Sequence, residues 1–282
     1  MLSRRQFLSS AAAGAALAAT GVRTLSAAEP EKKILLGIQL YSVRGECKKD
    51  LVKTIETIGK MGYEGVEFAG YYGWDKKPKE FRKLLDDNGL RCCGTHTAVP
   101  TLLGDALKRT ADLHNALGNR FLMVPSLPRQ YRGNTREKWL ATAKLFSDIA
   151  EKAKPLGMRV GYHNHSYEFK KLDSGETGWD VFYSNASPDV LMQLDTGNCM
   201  GGGGDPLAIL AKHGKRAATV HLKEFRGTDG VLGTGGTKWN QVFSLCKATG
   251  VTEWYIVEYG GSKIGVFETA RRSLDFLKKA TA

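Results

Sequence analysis

Eight short apolar runs alternate with longer amphipathic segments along this chain, and that rhythm limits the folds open to it. The runs are Ile34–Tyr41, Gly65–Phe68, Leu90–His96, Arg120–Val124, Arg159–His165, Val190–Asp195, Ala217–Leu222 and Trp254–Glu258. Each has the length of a strand and is rich in β-branched or aromatic residues. Between them, apolar residues recur at spacings of three and four, as in Leu51, Ile55, Ile58 and Met61, or Val266, Ala270, Leu274 and Leu277. That spacing lines one face of a helix. Gly62, Gly89, Gly118, Gly157 and Gly250 follow these segments, where a left-handed helix cap is favoured. Eight strand–helix pairs predict a single-domain α/β protein, a (β/α)8 TIM barrel. An open doubly wound sheet would place a glycine-rich phosphate loop after its first strand. Here the first run leads into Gln39-Leu40-Tyr41-Ser42-Val43-Arg44, and the later glycines Gly201–Gly204 lack the lysine of such a loop. They read as a flexible loop after the sixth strand.

Residues 1–28 stand apart. Ser3-Arg4-Arg5-Gln6-Phe7-Leu8 precedes an Ala-rich apolar stretch, and Ser26-Ala27-Ala28 offers small residues for cleavage. This is the layout of an export signal, and the paired arginines followed by Phe-Leu resemble the twin-arginine type. The expectation is an exported, periplasmic protein whose barrel spans 29–282. The apolar stretch is too short and too rich in Ala to make a good membrane span, so no membrane attachment is expected after cleavage. The leader's three arginines leave +9 of the formal +12 charge on the rest of the chain. The basic residues there are scattered over helix faces, which reads as a solvated surface rather than a nucleic-acid footprint. Five cysteines, an odd number without metal-finger spacing, argue against a disulfide framework.

Barrel enzymes carry their chemistry at the C-terminal ends of the strands. The second run ends with Glu67, the third with His96, the fifth with His163-Asn164-His165 followed by Glu168, the sixth with Asp195 and then Asn198, the seventh with His221 and then Lys223, and the eighth with Glu258. Buried ionisable groups are costly unless paired or bound to a metal. Imidazole and carboxylate donors converging from adjacent strands suit one divalent ion, with manganese, cobalt, magnesium and zinc as candidates. Asp195, His221 and Glu258 lead the ligand set. The fifth strand offers either His163, on the strand itself, or Glu168 in the loop beyond. Asp195 could instead simply cap the following helix. His114 and His213, isolated on helices, read as surface residues.

These ordered pieces resemble the sugar phosphate isomerase/epimerase superfamily of xylose-isomerase-like barrels. They include Gly37-Ile38-Gln39-Leu40-Tyr41-Ser42, Val66-Glu67, Gly161-Tyr162-His163-Asn164-His165 with Glu168-Phe169, Leu194-Asp195-Thr196-Gly197-Asn198, His221-Leu222-Lys223-Glu224 and Ile256-Val257-Glu258. The resemblance implies metal ligands at Asp195, His221 and Glu258. The family's first glutamate falls by spacing on His163. The expected ligand there is Glu168, with His163 and His165 at or beside the metal. The implied chemistry is proton abstraction next to a carbonyl through a metal-held enediolate, with Glu258, His163 or His165 as the catalytic residues. His96, Asn198, Lys223, Tyr41 and Glu67 would contact substrate, and Trp74 or Trp179 could stack on a sugar face. The reaction would be isomerisation or epimerisation of a free or oxidised sugar or glycoside. The alternative is a lyase or hydratase acting on a 3-keto-glycoside. An apurinic-site endonuclease of the same barrel, or a sugar-binding protein without activity, is a more distant alternative. The expected partner is a small sugar, not nucleic acid, and the sequence leaves room for a homo-oligomer.

Overall fold

The computed structural model describes residues 33–282, so the export segment expected at 1–28 lies outside the described residues. The apolar runs resolve into eight strands: β1 (Leu35–Gln39), β2 (Gly65–Phe68), β3 (Arg91–His96), β4 (Phe121–Val124), β5 (Arg159–His163), β6 (Leu191–Asp195), β7 (Thr219–Leu222) and β8 (Trp254–Val257). All neighbours pair in parallel, and β8 closes on β1, so the sheet is a closed barrel with strands in sequence order. Ten α-helices are described: α1 (Arg44–Lys49), α2 (Leu51–Met61), α3 (Pro78–Asp87), α4 (Asp105–Ala116), α5 (Arg136–Ala153), α6 (Gly178–Asn185), α7 (Thr196–Gly201), α8 (Pro206–His213), α9 (Trp239–Thr249) and α10 (Val266–Ala280). Among the described residues no helix is long and apolar enough to cross a membrane.

Local chemistry sets the helix boundaries. The Asp50 carboxylate accepts from the Lys53 amide at 3.0 Å and starts α2. Gly62 ends it at φ 93°, a left-handed conformation that a side chain would resist. The apolar stripe of each helix then packs on the outside of the barrel in one continuous core. A smaller apolar cluster of Cys93, Phe121, Met123, Leu191, Ala218, Trp254 and Ile256 is fully separate from it. Leu191 lies two steps of the strand repeat from Asp195, and Trp254 and Ile256 lie two and one steps from Glu258, so this cluster sits in the barrel interior beneath the site. Close packing there demands glycine. A Cβ on Gly161 would come within 2.7 Å of the Met123 sulfur.

Two expectations are corrected. Gly201–Gly204 is not a loose loop. Gly201 closes α7, and a Cβ on Gly202 would fall 2.3 Å from the Ser166 carbonyl oxygen, so this chain segment is packed on the loop after β5. His114 is not on the surface. It is fully buried, with Nε2 2.8 Å from the Tyr71 hydroxyl and Nδ1 2.9 Å from the Asn119 amide nitrogen. Its helix turns this face against the barrel, and Asn119 also clasps the backbone at Phe121. His213 is half-buried against the Tyr183 ring. All five cysteines are buried free thiols, as their odd number suggested.

Burial lowers the His114 pKa from 6.5 to about 4. Asn119 donates to Nδ1, so the ring is held neutral with its proton on Nε2. The unfolded chain therefore binds this proton more readily, and the native state loses stability as pH falls from about 6.5 towards 4. The shift corresponds to about 3 kcal/mol. Urea unfolding of wild type and His114→Gln at pH 7 and pH 4.5 is expected to show a shallower pH dependence in the variant. Parallel curves would show that His114 is not held neutral.

Candidate metal centre

The register of the barrel brings the strand-end residues to one level. His163 ends β5, Asp195 ends β6 opposite His221 of β7, and Glu258 directly follows β8. Their ligand atoms all lie within 4.8 Å of one another, and all four residues are buried. Four such groups in one dry space require compensation.

His221 lies at the centre of it. Its Nδ1 is 2.9 Å from Glu258 Oε2, and its Nε2 is 2.5 Å from Glu67 Oε2. Burial opposes a charged ring, but the charge of Glu67 and the hydrogen bonds to both carboxylates raise the pKa to about 10, so both nitrogens carry protons. Glu258 is likewise opposed by burial yet held well below the usual carboxylate range by His221, His163 and Lys223. Lys223 Nζ donates to Glu258 Oε1 at 3.1 Å. Glu67 is clamped from beneath. Gln39 donates to its Oε2 at 2.7 Å and Gln193 to its Oε1 at 2.7 Å. Gly94 leaves room for this carboxylate, since a Cβ there would lie 2.5 Å from Glu67 Oε1.

Asp195 has two faces. Oδ1 accepts from the Asn198 amide at 2.7 Å and caps α7, so the capping role is real. Oδ2 is buried with no hydrogen-bond partner among the described residues. The Lys223 ammonium is 3.9 Å away, too far for a hydrogen bond. Burial pushes the Asp195 carboxyl up to about 7 against the pull of Lys223. A carboxylate oxygen left unpartnered beside a second carboxylate and two imidazoles is what a cation would satisfy. The donor set of two nitrogens and two carboxylates fits a divalent ion of the borderline kind, as imidazole ligands prefer. With an ion in place of the proton on Nδ1, Glu67 would remain on Nε2 as the partner that orients the ring.

The structure does not bring Glu168 to this cluster. Its Oε1 accepts from the Tyr162 hydroxyl at 2.7 Å and its Oε2 from the His165 amide at 3.0 Å. Tyr162 adjoins His163 on β5 and so points the other way, towards the rings of Phe146, Trp179 and Phe182 on the helices. Glu168 follows it to the helix side and pins the loop. His163 takes the position for which Glu168 was expected.

Above the cluster opens a cavity of about 620 Å³ whose walls include Tyr41, His96, His163, His165, Lys223 and Glu258. Tyr41, His96 and Lys223 are thus where substrate contact was expected. Asn198 and Glu67 are not on its wall. The Asn198 side chain donates to the Asn164 carbonyl at 3.2 Å, and Glu67 is fully buried behind His221. Trp179 packs against Tyr183 in the helix layer and Trp74 against Phe81, and neither lines this cavity. The sequence reading missed Gln39 and Gln193. The signal was available: Gln193 is two residues before Asp195 on the same strand and must face the same way.

Comparison with known proteins places the fold in a family. Residues 55–280 match the model of the xylose isomerase-like TIM barrel family, and the chain belongs to that family. The rhizopine catabolism protein MocC of Rhizobium meliloti is 28% identical over 248 residues, covering 74% of each chain. The inosose dehydratase of Serratia proteamaculans is 26% identical over 250 residues, covering 72% of this chain and 80% of its own. The crystal structure of a sugar phosphate isomerase/epimerase from Parabacteroides distasonis superposes with a TM-score of 0.76 at 26% identity, covering 91% of this chain and 97% of that one.

Asp195→Ala and His221→Ala are each expected to weaken manganese or zinc binding by more than the 10–100-fold that loss of an outer partner costs, with the circular dichroism of a folded barrel. Glu168→Gln is expected to keep the ion. Equilibrium dialysis with metal analysis reads all three. Tight binding by either alanine variant, or metal loss in Glu168→Gln alone, would contradict the assignment.

Proposed function

We propose that the protein is a sugar-modifying enzyme that removes a proton beside the ketone of an unphosphorylated keto-sugar or keto-glycoside and then expels a β-oxygen substituent. The reading rests on one observation above all: imidazoles and a single carboxylate share the wall of the cavity. An epimerase that exchanges protons on both faces of one carbon is best served by two carboxylate bases. Here His163 stands where a second carboxylate would, and Glu258 is tied to His221 and Lys223. The similarity to an inosose dehydratase supports the same outcome.

A divalent ion held by His163, Asp195, His221 and Glu258 would act as a Lewis acid on the substrate carbonyl. His165 is the residue placed to move the proton. It is exposed at the cavity, its ring meets the His163 ring edge-on at 5.4 Å, and neither ring nitrogen has a hydrogen-bond partner among the described residues. Its imidazole takes the proton from the carbon beside the ketone as that C–H bond breaks. Lys223, an ammonium beside Glu258, stabilises negative charge developing on substrate oxygen. The electron pair then expels the β-oxygen substituent, and the His165 imidazolium returns its proton to that leaving oxygen. The products are an unsaturated ketone and water or an alcohol, and no redox partner is consumed. Among the described residues Lys223 is the one lysine or arginine on the cavity wall, and it is already paired with Glu258. A phosphate group would ask for more. Export by the twin-arginine leader would present the enzyme with free sugars and glycosides.

Incubation of the manganese-loaded protein with 3-keto-glycosides, inososes and free ketoses in deuterium oxide is expected to yield an unsaturated ketone, with deuterium beside the carbonyl of recovered substrate. His165→Ala is expected to cut kcat by about 10²–10⁴-fold, the usual contribution of a general base. Epimers without any unsaturated product would replace elimination by epimerisation. Product without deuterium exchange, or full activity in His165→Ala, would remove the proposed base.

A further inference from the structure

Gln193 is fully buried on β6, level with His163 of β5, and makes four hydrogen bonds with its amide. Its nitrogen donates to Glu67 Oε1 at 2.7 Å and to the Thr219 hydroxyl at 3.0 Å. Its oxygen is 2.9 Å from His96 Nε2 and 3.2 Å from His163 Nδ1. Two donors and two lone pairs are all that a primary amide has, so the group is fully used.

The orientation of this amide is not free. Turned over, its oxygen would face the Glu67 carboxylate, acceptor against acceptor, and its nitrogen would face two rings. Glu67 is itself fixed by Gln39 and by His221. The amide oxygen therefore faces the histidines and can only accept. Each ring must present an N–H to it, and a neutral ring has only one. His163 then carries its proton on Nδ1, leaving Nε2 with its lone pair. His96 carries its proton on Nε2, leaving Nδ1 with its lone pair.

We propose that Gln193 is a positioning residue that locks the tautomers of His163 and His96, so that His163 offers Nε2 to a metal ion and His96 offers Nδ1 as a hydrogen-bond acceptor at the cavity wall. The chain of control runs from Glu67 to the Gln193 amide to the two rings. One buried carboxylate thus sets three histidines: it also holds Nε2 of His221. The metal part of this inference rests on the site reading above, whereas the tautomers do not.

The test is nitrogen NMR of the metal-free, histidine-labelled protein at neutral pH, with His96→Gln and His163→Gln used to assign the rings. Wild type is expected to show His163 protonated on Nδ1 alone and His96 on Nε2 alone. Gln193→Met, which removes the acceptor and keeps the bulk, is expected to release the Nδ1–H form of His163 and to weaken manganese binding by about 10–100-fold. Gln193→Glu, taking up a proton towards Glu67, keeps an acceptor oxygen on the rings and is expected to restore the wild-type tautomers. A wild-type His163 protonated on Nε2 overturns the proposal, whether or not any variant folds. Weaker metal binding in Gln193→Met with unchanged tautomers also overturns it, because that would leave Gln193 a packing role only. If the tautomers are as stated and no substrate exchanges deuterium, the reaction reading fails and the lock stands.

Discussion

The His221 ring lies between two buried carboxylates, and most of the site is arranged around that contact. An imidazolium in a dry barrel is costly on its own, as is each carboxylate. Together they are tolerated because each nitrogen of the ring meets an oxygen, at Glu67 on one side and Glu258 on the other. Glu67 in turn takes amide donors from Gln39 and Gln193, and Glu258 takes Lys223. What the arrangement leaves over is one oxygen of Asp195, buried and unpartnered among the described residues. The network balances its charges everywhere except where a cation would complete it.

The barrel makes this arrangement affordable by dividing its interior. Below, Met123, Leu191, Trp254 and Ile256 form an apolar plug that holds the strands at fixed register. Above, the next inward positions on the same strands are Gln193, then Asp195, and the residue after β8 is Glu258. Moving from plug to site takes one or two steps of the two-residue strand repeat. A slip of one residue in the β6–β7 pairing would separate Asp195 from His221, which are now direct neighbours across the strands. Register and chemistry are therefore set by the same hydrogen bonds.

Much of this was legible in the chain. Strand-length apolar runs ending in His, Asp or Glu marked both the barrel and the residues at its mouth, because in this fold sequence position along a strand translates directly into depth. Asp195, His221 and Glu258 were found that way, and the structure brings them together. Where reading failed, the missing information was direction rather than identity. Glu168 lies only five residues beyond His163, but the loop carries it to the helix side through Tyr162 and the His165 amide. His114 has the helical spacing of a surface residue and is buried by a polar contact from Tyr71, 43 positions earlier. Gln193 carries no charge and so drew no notice, although its strand parity with Asp195 placed it in the same interior. Polar side chains that face inward in barrels merit the same scrutiny as charged ones.

Four side chains from adjacent strands are positioned to share one cation. Anomalous diffraction from manganese-loaded crystals tests this without reference to any substrate. A single strong peak within coordinating distance of His163, Asp195, His221 and Glu258 is the predicted result. A peak on Glu168, or no peak among these four residues at saturating manganese or zinc, would contradict it.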